Sequence, residues 1–321
     1  MNYVTLGNTG LRVSRFILGS MQLGWLLNEK ESFELLDVAL EAGINTIDTA
    51  DIYSRWTDES YPGKSEEIIG RWMKERGVRE EIILATKVRG KMSDRPNDKG
   101  LSRKHITEGA RASLDRLQTD WIDLYWSHWP DEEVDQEVTL RAFDKLIDEG
   151  SIHHIGASNH TAAQIVESLW ISDSRNLASY DAIQPPYSLA RREEYEKYLR
   201  PVVRKYDLGV TPYSPLGGGF LTGKYSKHKT PDSKRAESIE KRYATEENYR
   251  IVEELGRIAD NRGVSIPQIA LAWILTKDSI TAPIIGTSSL DHLHDNLGAL
   301  DIELSREETR ALNDVSDWRD G

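Results

Sequence analysis

Short apolar runs rich in β-formers alternate eight times with longer amphipathic segments along this chain. No other feature constrains its fold as strongly. The runs are FILGS (16–20), NTID (45–48), IILATK (82–87), WIDLYWSH (121–128), HHIGASN (153–159), DAIQ (181–184), GVTPYS (209–214) and APIIGT (282–287). Between them, residues 31–42 set Phe33, Leu36 and Leu40 on one helical face, and residues 134–148 do the same with Val134, Val138, Ala142 and Leu146. Segments 102–117, 161–170, 191–205, 246–262 and 289–297 also read as helices. Residues 266–276 are apolar nearly all round, with Ser265 as N-cap and Pro267 in the first turn. A length of 321 residues allows two domains or one large α/β barrel. Eight β–α alternations fit a (β/α)8 TIM barrel better than a doubly wound sheet, and no composition shift marks a boundary. Residues 1–321 therefore read as a single barrel domain.

The segment YVTLGNTGLRVSR stands outside the count. Its turn residues Gly7, Asn8 and Gly10 predict a β-hairpin, which would cap the bottom of the barrel. The N-terminus has no apolar core of the signal-peptide kind, and no run of 18 apolar residues occurs, so the expected location is cytoplasmic, with no membrane contact. Residues 226–245 are charged and poor in apolar side chains. They read either as a mobile lid or as a surface excursion. A second long loop is expected at 88–101.

Composition removes whole classes of chemistry. The chain has no cysteine, which excludes thiol nucleophiles, disulfides, iron–sulfur clusters and cysteine zinc sites. Asp plus Glu (53) exceeds Lys plus Arg (41), giving a formal charge of −12. Such a surface repels phosphate backbones, so nucleic acid is not an expected partner, and any phosphate-bearing ligand needs a local grip.

In a barrel, chemistry sits at the C-terminal ends of strands. That filter leaves Asp48, Tyr53, Lys87 and His128, which come from three successive strands. A tyrosine with an ammonium beside it, itself held by a carboxylate, can act as a general acid, because the positive charge favours the phenolate. His128 could hydrogen-bond a substrate carbonyl. The same residue types at strand ends are also common as structural groups, and residue types alone leave both readings open. Trp25, Trp56, Trp126 and Trp129 flank this set and are candidates to line a substrate pocket.

Other signals fall away. Gly218, Gly223 and Lys224 spell G-x-x-x-x-G-K, but Tyr225 stands where a phosphate-binding loop needs Ser or Thr. The Asn159-His160-Thr161 sequon has no secretory context. The pairs His153/His154 and His292/His294 diverge in direction on a strand or a helix, so no metal is expected.

TIDTADIY, the lysine of IILATKV, LYWSHWP, IGASN, IQPPYS, VTPYSPLGGGFLTGKY and APIIGTSS occur in an order and at a spacing that resemble the aldo-keto reductase superfamily. The style is that of its microbial and potassium-channel β-subunit-like branch, and the resemblance spans essentially the whole chain. It implies a (β/α)8 barrel that binds NADPH or NADH without a Rossmann fold, in keeping with the lack of a G-x-G-x-x-G string. It implies a catalytic tetrad of Asp48, Tyr53, Lys87 and His128, with Tyr53 protonating a carbonyl that receives hydride. Ser158, Asn159 and Gln184 would hold the nicotinamide carboxamide, Tyr213 would stack on the ring, and Gly19, Ser20 and Met21 would lie beside its ribose. Ser214, Leu216 and Gly218 would wrap the pyrophosphate. Gly286, Thr287 and Ser288 would meet the 2′ position of the adenosine ribose, with His292 close by, and Asp295 and Asn296 would meet adenine. Where many relatives carry Lys or Arg near the 2′ position, this chain offers hydroxyls and one histidine. NADPH remains the expected cofactor, with NADH possible. The expected partner is a small-molecule carbonyl substrate, and the chain is expected as a monomer or small homo-oligomer. A cofactor-binding sensor or regulatory subunit with little turnover is the alternative.

Overall fold

Each of the eight apolar runs contributes one strand, and all eight lie parallel in one sheet. A computed structural model of the chain describes residues 1–56, 60–226, 231 and 236–320. A hairpin comes first, formed by β1 (Tyr3–Thr5) and β2 (Arg12–Ser14), paired antiparallel. The barrel strands follow as β3 (Ile17–Gly19), β4 (Thr46–Asp48), β5 (Ile83–Val88), β6 (Ile122–Ser127), β7 (Ile152–Ser158), β8 (Ala182–Gln184), β9 (Gly209–Val210) and β10 (Ile284–Gly286). β10 pairs with β3, and each strand from β3 to β9 pairs with the next. Between β9 and β10 the ring closes through backbone bonds beyond the ladder: Ile284 N donates to Pro212 O at 2.8 Å and Thr281 N to Val210 O at 2.9 Å. The sheet is thus the (β/α)8 barrel that the alternation predicts.

β9 is shorter than the run GVTPYS because Pro212 carries no backbone donor. Pairing nonetheless continues past the strand, with Thr211 N on Ile183 O at 3.1 Å and Tyr213 N on Pro185 O at 3.0 Å. This keeps Tyr213 in register at the barrel mouth.

The helices are α1 (Glu29–Glu41), α2 (Lys64–Arg76), α3 (Arg103–Leu117), α4 (Gln136–Asp148), α5 (Ala162–Arg175), α6 (Arg200–Tyr206), α7 (Ala236–Tyr243), α8 (Glu246–Arg262), α9 (Ile266–Leu275), α10 (Leu290–Leu297) and α11 (Arg306–Val315). Ser265 caps α9 as expected, in a reciprocal box with Gln268. Four features depart from the sequence expectations. α2 is a full helix that its pattern does not announce, because Gly70 interrupts it. That glycine is a packing requirement: a Cβ there would lie 2.3 Å from the Arg116 carbonyl oxygen on α3. In α4 the expected Ala142 and Leu146 are buried, together with Leu140 and Phe143, while Val138 is 43% exposed. The segment 191–205 begins as a π-helix, Glu194–Leu199, before α6; Pro201 supplies no N–H where α-helical bonding would continue. Residues 226–245 are not all loop, since α7 buries Ala236, Ile239 and Tyr243, with Tyr243 stacked 6.1 Å from Phe220. The lid reading rests partly on 227–230 and 232–235, outside the described residues.

The hairpin does cap the barrel bottom. Gly7 has φ +49°, and a Cβ there would come within 2.5 Å of Gly209 N and 2.9 Å of Asp181 O, at the N-terminal ends of β9 and β8. Leu6 and Val13 then join Ile17, Ala85, Leu124, Trp126, Ala182 and Ile284 in one cluster inside the barrel. Burying a side chain such as Leu6 stabilises by roughly 1.5–3 kcal/mol.

Candidate active site

Period-two alternation along β5 puts Lys87 on the same inward face as Ile83 and Ala85, one layer above the apolar interior. Its ammonium is fully buried. It donates to Asp48 Oδ2, to the Thr49 carbonyl at 2.6 Å and to Tyr53 OH at 3.2 Å. An ammonium has three donors and no acceptor, so all are used. The direction of the last bond matters. The phenol oxygen of Tyr53 accepts from Lys87, which leaves the phenol O–H free to donate elsewhere.

Asp48 shares its carboxylate between two partners, Lys87 and the Gln184 side-chain amide, the latter at 2.9 Å on Oδ1. Burial alone would lower the ammonium's pKa; the Asp48 charge and the Tyr53 contact carry it above its usual value, so Lys87 stays charged. Burial pushes the Tyr53 phenol up, and this outweighs the Lys87 charge that pulls it down. Lys87 thus pulls the phenol in the expected direction, against a larger push from burial. His128 is held well below the ordinary imidazole range by burial first, then by the positive charges of Lys87, Arg89 and Arg55. It is therefore a neutral ring, with its centroid 6.0 Å from that of Tyr53.

The turn that carries Tyr53 is pinned to its surroundings. Thr49 N donates to Ala85 O at 2.8 Å, Asp51 N to Lys87 O at 3.2 Å, and the Ser54 hydroxyl to Leu23 O at 2.5 Å. The turn at 20–27 is tied in through Ser20, whose N–H and hydroxyl both bond Asp48 O at 3.0 Å.

A second chain of polar contacts runs along the other side of the mouth. The Ser158 hydroxyl donates to Gln184 O at 2.9 Å, and the Asn159 amide to Ser158 Oγ and His128 O, both at 2.9 Å. Tyr213 OH donates to Asn159 Oδ1 at 2.8 Å. Asn159 and Ser214 sit at φ +60° and +55°, strained positions for non-glycine residues. Gly19 and Gly286 pair in register on β3 and β10. Met21 is half-buried, and Leu216 packs partly against the core. Gly217, Gly218 and Gly219 all have positive φ, and a Cβ on Gly219 would lie 3.1 Å from Lys224 Nζ.

At the adenosine end, Ser288 and His292 are exposed at the start of α10, and Thr287 bonds Ser289 O at 2.8 Å. Asp295 accepts from the Ser265 hydroxyl at 2.8 Å, and Asn296 is buried. Trp25 and Trp56 pack 4.9 Å apart, Trp56 lies 6.0 Å from Tyr53, and Trp129 lies 4.3 Å from His128. Trp126 differs from these three. It is 1% exposed and fills the barrel interior over Gly156, where a Cβ would come 2.3 Å from its ring. It packs as core.

Sequence reasoning missed Thr49, whose contribution is a carbonyl oxygen and leaves no side-chain signal. It also set Lys224 aside with the G-x-x-x-x-G-K string. Among the described residues no cluster of three or more metal-type ligands occurs.

The sequence profile of the aldo/keto reductase family matches residues 15–317. The chain belongs to the aldo/keto reductase family. This aldo/keto reductase is 39% identical over 324 residues to an uncharacterized oxidoreductase, YrpG, of Bacillus subtilis, covering 98% of this chain and 96% of that protein. It is 37% identical over 309 residues to a probable voltage-gated potassium channel subunit beta of Oryza sativa subsp. japonica, with 94% and 92% covered. A protein of the same description from Arabidopsis thaliana is 34% identical over 309 residues, with the same coverage. The family uses NAD(P)H, which makes this aldo/keto reductase a nicotinamide-dependent oxidoreductase. The residues present fit such a group. The 217–219 backbone carries no side chains and lies beside the Lys224 cation, a combination suited to phosphate, and polar side chains converge on the tetrad. No helix among the described residues is long and apolar enough to cross a membrane.

Proposed function

We propose that this protein reduces an aldehyde or ketone to an alcohol, with Tyr53 as the proton donor. The observation that carries the reading is the bonding of Lys87. Its three donors are committed to Asp48, Thr49 and Tyr53, so the Tyr53 oxygen accepts and its proton faces away from the lysine. A bound nicotinamide supplies the hydride. The protein's own groups do the rest. Tyr53 gives its proton to the carbonyl oxygen, and Lys87 stabilises the phenolate left behind. Neutral His128 donates one N–H to the same oxygen and fixes the carbonyl's direction. Asp48 and Gln184 keep the ammonium in place.

Ser158, Asn159 and Gln184 would hold the carboxamide, with Tyr213 against the ring. Gly19, Ser20 and Met21 would meet the ribose, and Ser214, Leu216 and Gly218, with Lys224 added, the pyrophosphate. Gly286, Thr287, Ser288, His292, Asp295 and Asn296 would form the adenosine end. The cofactor is NADPH, with NADH also accepted, since exposed Ser288 and His292 can meet either a 2′-phosphate or a ribose diol. The protein works as one domain in the cytoplasm.

Consumption of NADPH and NADH with a panel of aldehydes and ketones tests the reading. Tyr53→Phe should bind cofactor normally, followed by fluorescence, and lose turnover by about 10²-fold or more. Full turnover in Tyr53→Phe would remove the assigned acid. Similarity to proteins named as potassium channel β subunits favours a second reading, a cofactor-binding regulatory subunit. Tight cofactor binding without turnover on any carbonyl would select it.

A further inference from the structure

Arg89 follows β5 directly and sits at φ +129°, a conformation that glycine adopts freely and residues with a Cβ rarely do. The chain nevertheless places a guanidinium there. Its carbon lies 5.1 Å from the centre of the Trp129 ring. Trp129 lies 4.3 Å from His128, and His128 6.0 Å from Tyr53. Arg89 is therefore the far end of a continuous row that starts at the general acid. Its side chain makes no hydrogen bond and no ion pair among the described residues, and its Nε is buried without a partner. A buried unsatisfied donor on a cation is costly, by roughly 1–3 kcal/mol or more. Strain and a missing bond meet at one residue, within electrostatic reach of His128, and point to a ligand that repairs the second. Arg55 adds positive charge near the same place, since it and Arg89 both act on His128. Beside Tyr53, the Trp25–Trp56 pair supplies an aromatic wall.

Resting on the carbonyl-reductase reading, we propose that the substrate is an aldehyde or ketone bearing a carboxylate on a planar body, and that Arg89 is the specificity residue that pairs with that carboxylate. A planar guanidinium presents two parallel N–H groups that match a carboxylate's two oxygens. Trp129 holds the guanidinium flat through a cation–π contact. In a protein of net charge −12, an anionic substrate needs such a fixed local cation.

A matched pair of probes tests this: 4-carboxybenzaldehyde and its methyl ester, with a phosphate-bearing benzaldehyde as a third arm. The expected result is a preference in kcat/KM of about tenfold or more for the acid over the ester, carried by KM, with the phosphate arm below the acid. Arg89→Met should bring the acid-to-ester ratio close to one, and Arg89→Lys should restore part of it. Arg89→Gly, which suits the backbone angle, covers the case in which Arg89→Met does not fold. A wild-type ratio near one, a ratio unchanged in the variants, or a preference for the phosphate arm overturns the inference while leaving carbonyl reduction intact. If no probe is turned over, the function itself is wrong. Benzoate quenching of tryptophan fluorescence then decides the inference separately: binding about tenfold weaker in Arg89→Met upholds a carboxylate site, and equal binding overturns it.

Discussion

Gln184 donates its side-chain amide to Asp48 at 2.9 Å, so the carboxylate oxygen that Lys87 does not use is also satisfied. The pair fixes Asp48 from β8, on the far side of the barrel mouth from Lys87's own strand. Asp48→Asn keeps the shape and removes the charge. The buried ammonium would lose its counter-ion, and breaking a buried pair typically costs about 3–5 kcal/mol. Turnover should fall by about 10²-fold or more, because an uncompensated Lys87 deprotonates and no longer stabilises the Tyr53 phenolate. Steady-state kinetics and the thermal midpoint check both effects. An Asn variant with normal stability and turnover would mean that Lys87 does not depend on Asp48.

The pH profile of carbonyl reduction should be flat on the acid side and fall only at the alkaline end. A general acid works protonated, and burial holds the Tyr53 phenol above its ordinary value against the pull of Lys87. His128 lies well below the imidazole range through burial and the charges of Lys87, Arg89 and Arg55, so it does not titrate near neutrality. kcat/KM should therefore hold steady through neutrality and decline only at alkaline pH, above the ordinary phenol range. A decline through pH 7 would assign the proton to an imidazole instead of Tyr53.

The barrel was legible because eight short apolar runs alternate with longer amphipathic segments. Asp48, Tyr53, Lys87 and His128 are brought together as the strand-end filter predicts. What escaped the sequence depends on backbone geometry or on distant packing. Arg89 looks like any surface cation until its φ of +129° and its place over Trp129 are known. Thr49 acts through its carbonyl, and Trp126 reads as a pocket residue until Gly156 is seen to make room for it inside the barrel. α2 escaped because an interior glycine reads as a helix breaker, whereas here it is a contact.

Gly70→Ala and Gly256→Ala should have opposite signs. Both glycines lie inside helices, α2 and α8, where Ala is intrinsically better by about 1 kcal/mol. At Gly256 the new methyl meets only Ile266 Cδ1 at 3.7 Å, an ordinary contact, so the helix preference should stabilise the protein. At Gly70 the methyl would sit 2.3 Å from Arg116 O and 2.6 Å from the Leu117 carbonyl carbon, and backbone cannot rotate away. Forcing α2 off α3 should cost about 1–3 kcal/mol or more. Thermal midpoints of the two variants, measured side by side, should move up for Gly256→Ala and down for Gly70→Ala. Equal shifts would mean that the helix contact at Gly70 is looser than described.

Asp51 gives the last prediction. It lies two residues before Tyr53, is 1% exposed, and neither carboxylate oxygen has a hydrogen-bond partner. Burial raises its pKa to about 8, helped by the charge of Glu66 and opposed by Arg116 and Lys87. Glu66 is hydrogen-bonded by Thr86 at 2.6 Å and Arg116 at 2.7 Å, whereas Asp51 has no such partner, so of the two it is Asp51 that takes the proton. In the unfolded chain an aspartate titrates near about 3.9. Between roughly pH 4 and 8 the folded state therefore binds a proton that the unfolded state has lost, and stability falls as pH rises through that window. Asp51→Asn removes the titration but keeps a buried polar group, with a cost independent of pH. Its stability relative to the parent should rise steadily from about pH 4 to pH 8, by a few kcal/mol in total, and level off above. Urea unfolding at several pH values across that range measures the slope. A difference that does not change with pH would mean that Asp51 is ionised in the folded protein.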